Sequence, residues 1–105
     1  MKRHYGRKVY KEWRDQIYDH DGGTCAITGC DKTAYLNAHH IIPSSFSKYE
    51  FDPLNGIMLC PLHHTLGKWS AHKNPLWFTH WLHIHHFDLW ELAMTRLEEM
   101  KANEV

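Results

Sequence analysis

Apolar positions recur at helical spacing at both ends of the chain and at strand spacing only briefly between them. Val9, Trp13 and Ile17 fall at i, i+4 and i+8 with Tyr10 beside them, which predicts a helix over residues 7–19 with one face on a core. Arg7, Lys11 and Arg14 take a different face and form a basic stripe. Asp21-Gly22-Gly23 ends the helix, because glycine accepts the left-handed backbone of a helix stop. Near the other end, Asn74-Pro75 reads as an N-cap followed by proline at the first helical position. Trp77, Trp81 and Ile84 then give one apolar face, with Phe78 and Leu82 as its neighbour. His85-His86 interrupts, and Asp88 and Glu91 form a capping-box-like pair with Phe87 and Leu92 as a hydrophobic staple. Trp90, Met94 and Leu97 carry the inner face of this last helix, which is expected to fray after Met100.

Between these helices the pattern shortens. Thr33 to His39 predicts a short strand, and Pro43 blocks its extension. Residues 44–53 are polar and aromatic without a period and read as a loop, tacked down by Phe46, Tyr49 and Phe51. Asn55-Gly56 is a strong turn signal, and Gly56 to Cys60 reads as a second strand returning antiparallel to the first. Pro61 suits the first turn of a helix, predicted from Leu62 to about Trp69. The fold class is therefore α+β: strand, loop, strand and helix, flanked by an N-terminal helix and C-terminal helices. A length of 105 residues fits one domain, with a basic helical segment at 1–24, a central unit at 25–73 and C-terminal helices at 74–105.

Charge changes this picture locally. Twelve basic and twelve acidic side chains leave a formal net charge of zero, so the chain fails the overall charge test for nucleic-acid binders. Residues 1–14, however, hold six lysines and arginines against Glu12 alone, while residues 88–105 hold five acids against Arg96 and Lys101. The basic end suits phosphate, and equally suits an ordinary solvated face. No apolar run approaches the ~20 residues that span a bilayer, and no signal-peptide pattern follows the basic start. The expectation is a cytoplasmic protein without membrane contact.

Three cysteines fit a disulfide framework poorly. Cys25 and Cys30 flank a turn with Gly29 before the second, which lets both sulfurs face one ion. Their C-x4-C spacing is at the wide end for zinc, and two buried thiols would be the plain alternative. Cys60-Pro61-Leu62-His63 supplies a second pair at a helix start, completing a Cys3His set as structural zinc requires. Such an ion would staple a domain with a small core.

His39, His40, Asn55 and His64 remain. Neighbouring strand residues point to opposite faces, so one of His39 and His40 can hold a metal while the other faces a substrate. A hairpin returns His64 beside the end of the first strand. His39 and His64 could then share one divalent cation with most of its coordination sphere open, the mark of a catalytic site. His40 would be a free imidazole near that ion, suited to general-base work. Asn55 has an amide able to fix the loop or the His40 ring. His4, His20, His80, His83, His85 and His86 match no motif and read as surface or core-satisfied residues.

The order His-His-Ile, then Asn-Gly-Ile-x-Leu-Cys, then x-x-x-His closely resembles the HNH endonucleases. The later Ser70-Ala71-His72-Lys73-Asn74-Pro75-x-x-Phe78 is similar to the tail of small phage and prokaryotic members, and the likeness covers roughly residues 25–82. The resemblance implies a ββα-metal core with a structural zinc site and metal-dependent hydrolysis of DNA phosphodiesters, leaving 5′-phosphate and 3′-hydroxyl ends. It implies His40 as general base, Asn55 as the residue that orients it, and His39 and His64 as ligands of the catalytic ion. That ion is expected to be Mg2+, with Mn2+, Ni2+ or Zn2+ as alternatives, since two histidine ligands let transition metals compete well against Mg2+. Two departures follow. The family's usual second C-x2-C is here Cys60-x2-His63, which leaves His63 and His64 open to exchange of roles. Lys68 stands where some members place a further histidine, and is a candidate phosphate contact alongside Arg7, Lys11 and Arg14. His72, eight after His64, is a candidate third ligand. The competing function is a zinc-stabilised DNA-binding or packaging-accessory module that does not cut.

Overall fold

The computed structural model describes residues 2–104, with side chains from Arg7 onward; the side chains of Lys2, Arg3 and His4 lie outside the described residues. Helix α1 runs Lys2–His20, strands β1 and β2 are Asn37–His40 and Gly56–Leu59, and helices α2 and α3 are Pro75–His85 and Phe87–Ala102. The architecture is α+β with one two-stranded antiparallel sheet. No helix among the described residues is long and apolar enough to cross a membrane.

Helix α1 buries Trp13 and Ile17, while Val9 and Tyr10 stand more exposed than their spacing predicts. It ends at Asp21-Gly22-Gly23, where both glycines take positive φ (69° and 71°). Asp21 then turns back to the sheet: its carboxylate accepts the Met58 N–H at 2.8 Å, and the Ala26 N–H donates to the Met58 carbonyl at 2.9 Å. These two bonds satisfy a β2 edge that would otherwise be open. Every residue of β2 is buried.

The hairpin registers His40 opposite Gly56 and His39 opposite Ile57. Gly56 is required by packing. A Cβ there would meet the Trp13 ring at 2.6 Å and collide with the Ile17 side chain, so α1 lies directly on the backbone at this point.

Four sequence expectations need correction. Strand β1 begins at Asn37, not Thr33, because Tyr35 takes φ 57° and breaks the extended run. The helix after Pro61 is only Leu62–Leu66, wound as a π-type turn with Gly67 N–H bonded to the Leu62 carbonyl at 2.9 Å. It stops because the chain reverses: Ala71 and His72 N–H groups take the His63 and His64 carbonyls at 2.8 and 3.0 Å, which a longer α-helix would have used itself. The Asp88–Glu91 capping box does not form, since His86 alone joins α2 to α3 and serves as N-cap without a side-chain bond. Ile84, placed by its spacing on the core face of α2, is 57% exposed; Phe78, Trp81 and Leu82 are the buried residues. The Asn74 cap forms, its side chain accepting the Trp77 N–H at 3.1 Å. On α3 only Ala93 is buried, with Trp90, Met94 and Leu97 half-buried.

Candidate active site and metal centres

The turn at Cys25–Cys30 closes through a Cys30 N–H bond to the Ile27 carbonyl at 2.9 Å, with Gly29 at φ 82°. Strand β2 delivers Cys60, and the turn after Pro61 delivers His63. Ligand atoms of Cys25, Cys30, Cys60 and His63 all lie within 4.8 Å of one another. His63 Nδ1 is 3.3 Å from the Cys60 sulfur and 3.6 Å from that of Cys25, and the Cys30 and Cys60 sulfurs are 4.0 Å apart. Tetrahedral zinc with ordinary bond lengths separates two sulfurs by roughly 3.8 Å and sulfur from nitrogen by roughly 3.5 Å. The three thiols are free rather than disulfide-bonded. The donor set therefore fits zinc in both chemistry and spacing.

The thiols differ in acidity. Burial pushes Cys25 up to about 12. At Cys60 burial also opposes the thiolate, but the His63 and Leu62 N–H groups and the neighbouring thiols outweigh it, and the net shift is downward. Proline at 61 opens the turn so that these N–H groups face the sulfur. His63 is held below the usual imidazole range by burial and by Lys32.

A second cluster lies across the same turn. Ligand nitrogens of His39, His64 and His72 lie within 4.8 Å of one another, and the Nε2 atoms of His64 and His72 are 3.1 Å apart. Tetrahedral zinc would place two such nitrogens roughly 3.3 Å apart. The backbone bond from His72 N–H to the His64 carbonyl brings the third histidine in. Phe78 of α2 meets His39 edge-on at 5.0 Å. Burial, then His64, His72 and His40, push His39 down to about 3, and burial with His72 lowers His64. Both rings are thus neutral near pH 7, with lone pairs available to a cation. Of the two adjacent histidines, His63 stands with the cysteines and His64 with the histidines.

His39, His40, His64 and His72 line one cleft of about 520 Å³, with Tyr10 from α1 and Pro75, Phe78 and Thr79 from α2 on its walls. The His40 ring is held at its edge, Nε2–H donating to the Glu50 carbonyl at 2.8 Å. That contact assigns the proton to Nε2 and leaves Nδ1 with the lone pair. Asn55 makes no hydrogen bond to His40. Its side chain is buried, accepts the Ile42 N–H at 2.7 Å, and donates to the Ile42 and Tyr49 carbonyls at 3.1 Å each. Of the two partners expected for its amide, the loop is the one observed: it anchors Ile42, two residues after His40, and Tyr49, next to the Glu50 carbonyl that His40 bonds.

The basic stripe of α1 is partly engaged. Lys11 pairs with Asp15 at 2.7 Å, and Arg14 lies 3.7 Å from Asp15 and bonds the Leu36 carbonyl at 3.4 Å. Arg7 and Lys68 are exposed. None of the four lines the cleft. A backbone acceptor such as the Glu50 carbonyl leaves no residue signature, and the spacing of Trp13 reads only as core.

Residues 25–67 match the family model described as HNH endonuclease. Comparison with curated proteins and with solved structures finds no match.

Proposed function

From the premise that residues 25–67 belong to the HNH endonuclease family, we propose that the chain is a metal-dependent DNA endonuclease built on a ββα-metal core. The observation that carries this reading is the cleft in which a tautomer-fixed His40 lies beside three clustered histidines. His39, His64 and His72 would hold the catalytic cation, and Cys25, Cys30, Cys60 and His63 a structural zinc. A divalent cation held by the three histidines would supply Lewis-acid stabilisation of the charge that develops in the reaction.

The chain's own residues do the rest. His40 Nδ1 accepts a proton from water as that water attacks phosphorus in line with the leaving 3′ oxygen. The Glu50 carbonyl stabilises the resulting imidazolium through the Nε2–H bond. As the P–O3′ bond breaks, the 3′ oxygen takes a proton from solvent, and the products carry 5′-phosphate and 3′-hydroxyl ends. Asn55 fixes the loop that presents the Glu50 carbonyl. Arg7, Lys11, Arg14 and Lys68 contribute phosphate contacts outside the cleft, with Lys11 and Arg14 exchanging Asp15 for the ligand.

Supercoiled plasmid incubated with Mg2+, Mn2+, Ni2+ or Zn2+ tests the proposal. Wild type converts it to nicked or linear forms and His40→Ala does not. Equal cutting by the two proteins with every metal overturns the assignment. Retention of DNA without cutting supports the binding-module alternative.

A further inference from the structure

His40 is restrained on a second side, by a residue outside the family match. Trp13 of α1 lies face to face with its ring, centroids 4.1 Å apart and planes 11° from parallel. The indole is itself fixed: its Nε1–H donates to the Asp52 carbonyl at 2.8 Å. Asp52 is tied to α3, its carboxylate accepting from Arg96 at 2.9 Å, and Arg96 covers the Tyr49 ring at 4.2 Å. Trp13 is 1% exposed and leans over Gly56, the residue opposite His40 in the hairpin. The missing side chain at 56 is what lets the indole reach the histidine.

A single hydrogen bond at Nε2 leaves an imidazole free to rock about that bond and swing Nδ1 out of line. A parallel aromatic face removes that freedom, because rocking would shear the stack. We propose that Trp13 is a positioning residue for the proposed base, its indole fixing the plane in which His40 Nδ1 meets water. This rests on the functional reading above. It makes α1, together with the Asp52–Arg96 link to α3, part of the catalytic frame.

The test compares Trp13→Phe, Trp13→Leu and Ile17→Ala on an oligonucleotide duplex, each checked for zinc content and thermal midpoint. Ile17 is a buried neighbour on the same helix and controls for loss of packing. Trp13→Leu should lower kcat by about 10- to 100-fold with KM nearly unchanged, the size expected for misorientation of a reacting group. Trp13→Phe, which keeps an aromatic face, should recover most of that loss. Ile17→Ala should lower the midpoint without a comparable fall in kcat. In NMR spectra the His40 ring protons should lose their ring-current shift in Trp13→Leu and keep part of it in Trp13→Phe, whether or not the chain cuts. The proposal is overturned if Trp13→Leu and Ile17→Ala lose kcat equally, if the loss falls on KM, or if His40 ring shifts ignore Trp13. Failure of wild type to cut overturns the functional reading instead, and is seen before any Trp13 variant is compared.

Discussion

Replacing Asn55 with alanine separates two ways an asparagine can serve a histidine base. Its side chain is 2% exposed and makes three hydrogen bonds, none to His40. Alanine deletes all three and strands the Ile42 N–H and carbonyl in a buried site, while the Tyr49 carbonyl keeps the Asp52 N–H at 3.2 Å. At about 1 kcal/mol for the Tyr49 bond and about 1–2 kcal/mol for each stranded Ile42 group, the cost is about 3–5 kcal/mol. With a urea slope of about 1.5 kcal/mol per molar, the unfolding midpoint of the zinc-loaded protein should fall by about 2–3 M. The Tyr49–Glu50 segment loses its tie to the hairpin base at Asn55, so the Glu50 carbonyl shifts relative to His40 and kcat should fall by about 10- to 100-fold. Asn55→Asp should be no rescue: one oxygen can still accept from Ile42, but the other faces two carbonyls without a proton to give. Urea titration by fluorescence and cleavage kinetics at low temperature measure both effects. An Asn55→Ala protein as stable as wild type yet inactive would refute the reasoning, since it would mean that the amide acts on the base or the substrate directly.

Three further outcomes follow from the two clusters. The protein should hold about one zinc per chain through dialysis and unfold on strong chelation, as metal analysis and circular dichroism would show; a folded, zinc-free chain would exclude the Cys25/Cys30/Cys60/His63 site. His72→Ala should leave that zinc in place and weaken the metal dependence of cleavage by tenfold or more, read from activity against Mn2+ concentration; an unchanged curve would remove His72 from the ligand set. Acid should destabilise the fold. His39 is held near 3 and His63 and His64 are lowered, so the unfolded chain binds more protons below its ordinary value of about 6.5. Stability is therefore full above about pH 6.5 and falls toward pH 3, with up to about 2 kcal/mol lost by pH 5 from His39 alone. Urea midpoints that do not move between pH 7.5 and 5 would contradict this.

What could be read from the sequence divides along a physical line. Helix starts and stops set by local chemistry were legible: the Gly22-Gly23 stop and the Asn74 cap. The turn expected at Asn55-Gly56 instead falls at residues 53–54, closed by the Asn55 N–H on the Asp52 carbonyl, and Gly56 already pairs in the strand. The grouping of Cys25, Cys30, Cys60 and His63 was legible too, because ligand pairs keep short spacings on either side of a turn. Features set by tertiary backbone bonds were not. The early end of the helix after Pro61 depends on Ala71 and His72 claiming carbonyls several residues back, and no propensity encodes that. The Glu50 acceptor and the stack on Trp13 were equally silent. Trp13 sits on an apolar helical stripe, and periodicity reports only that it is buried, not which ring it covers.

The adjacent pair His63 and His64 shows why the two clusters are linked in one direction. Neighbours on a helical turn diverge by about 100°, so one residue can face the cysteines while the next faces the cleft. The same short turn carries both, and its first carbonyl, on Cys60, accepts the His64 N–H at 2.8 Å. His64 is therefore aimed by backbone that the cysteine cluster anchors, and His72 is in turn aimed by His64. Removing His64 or His72 takes nothing from the four-residue cluster. Removing Cys60 releases the start of the turn, and with it the orientation of His64, the placement of His72 and the three-histidine set. In a chain with so small a core, a structural ion set one residue from a catalytic ligand would stabilise the fold and position the site through the same few bonds.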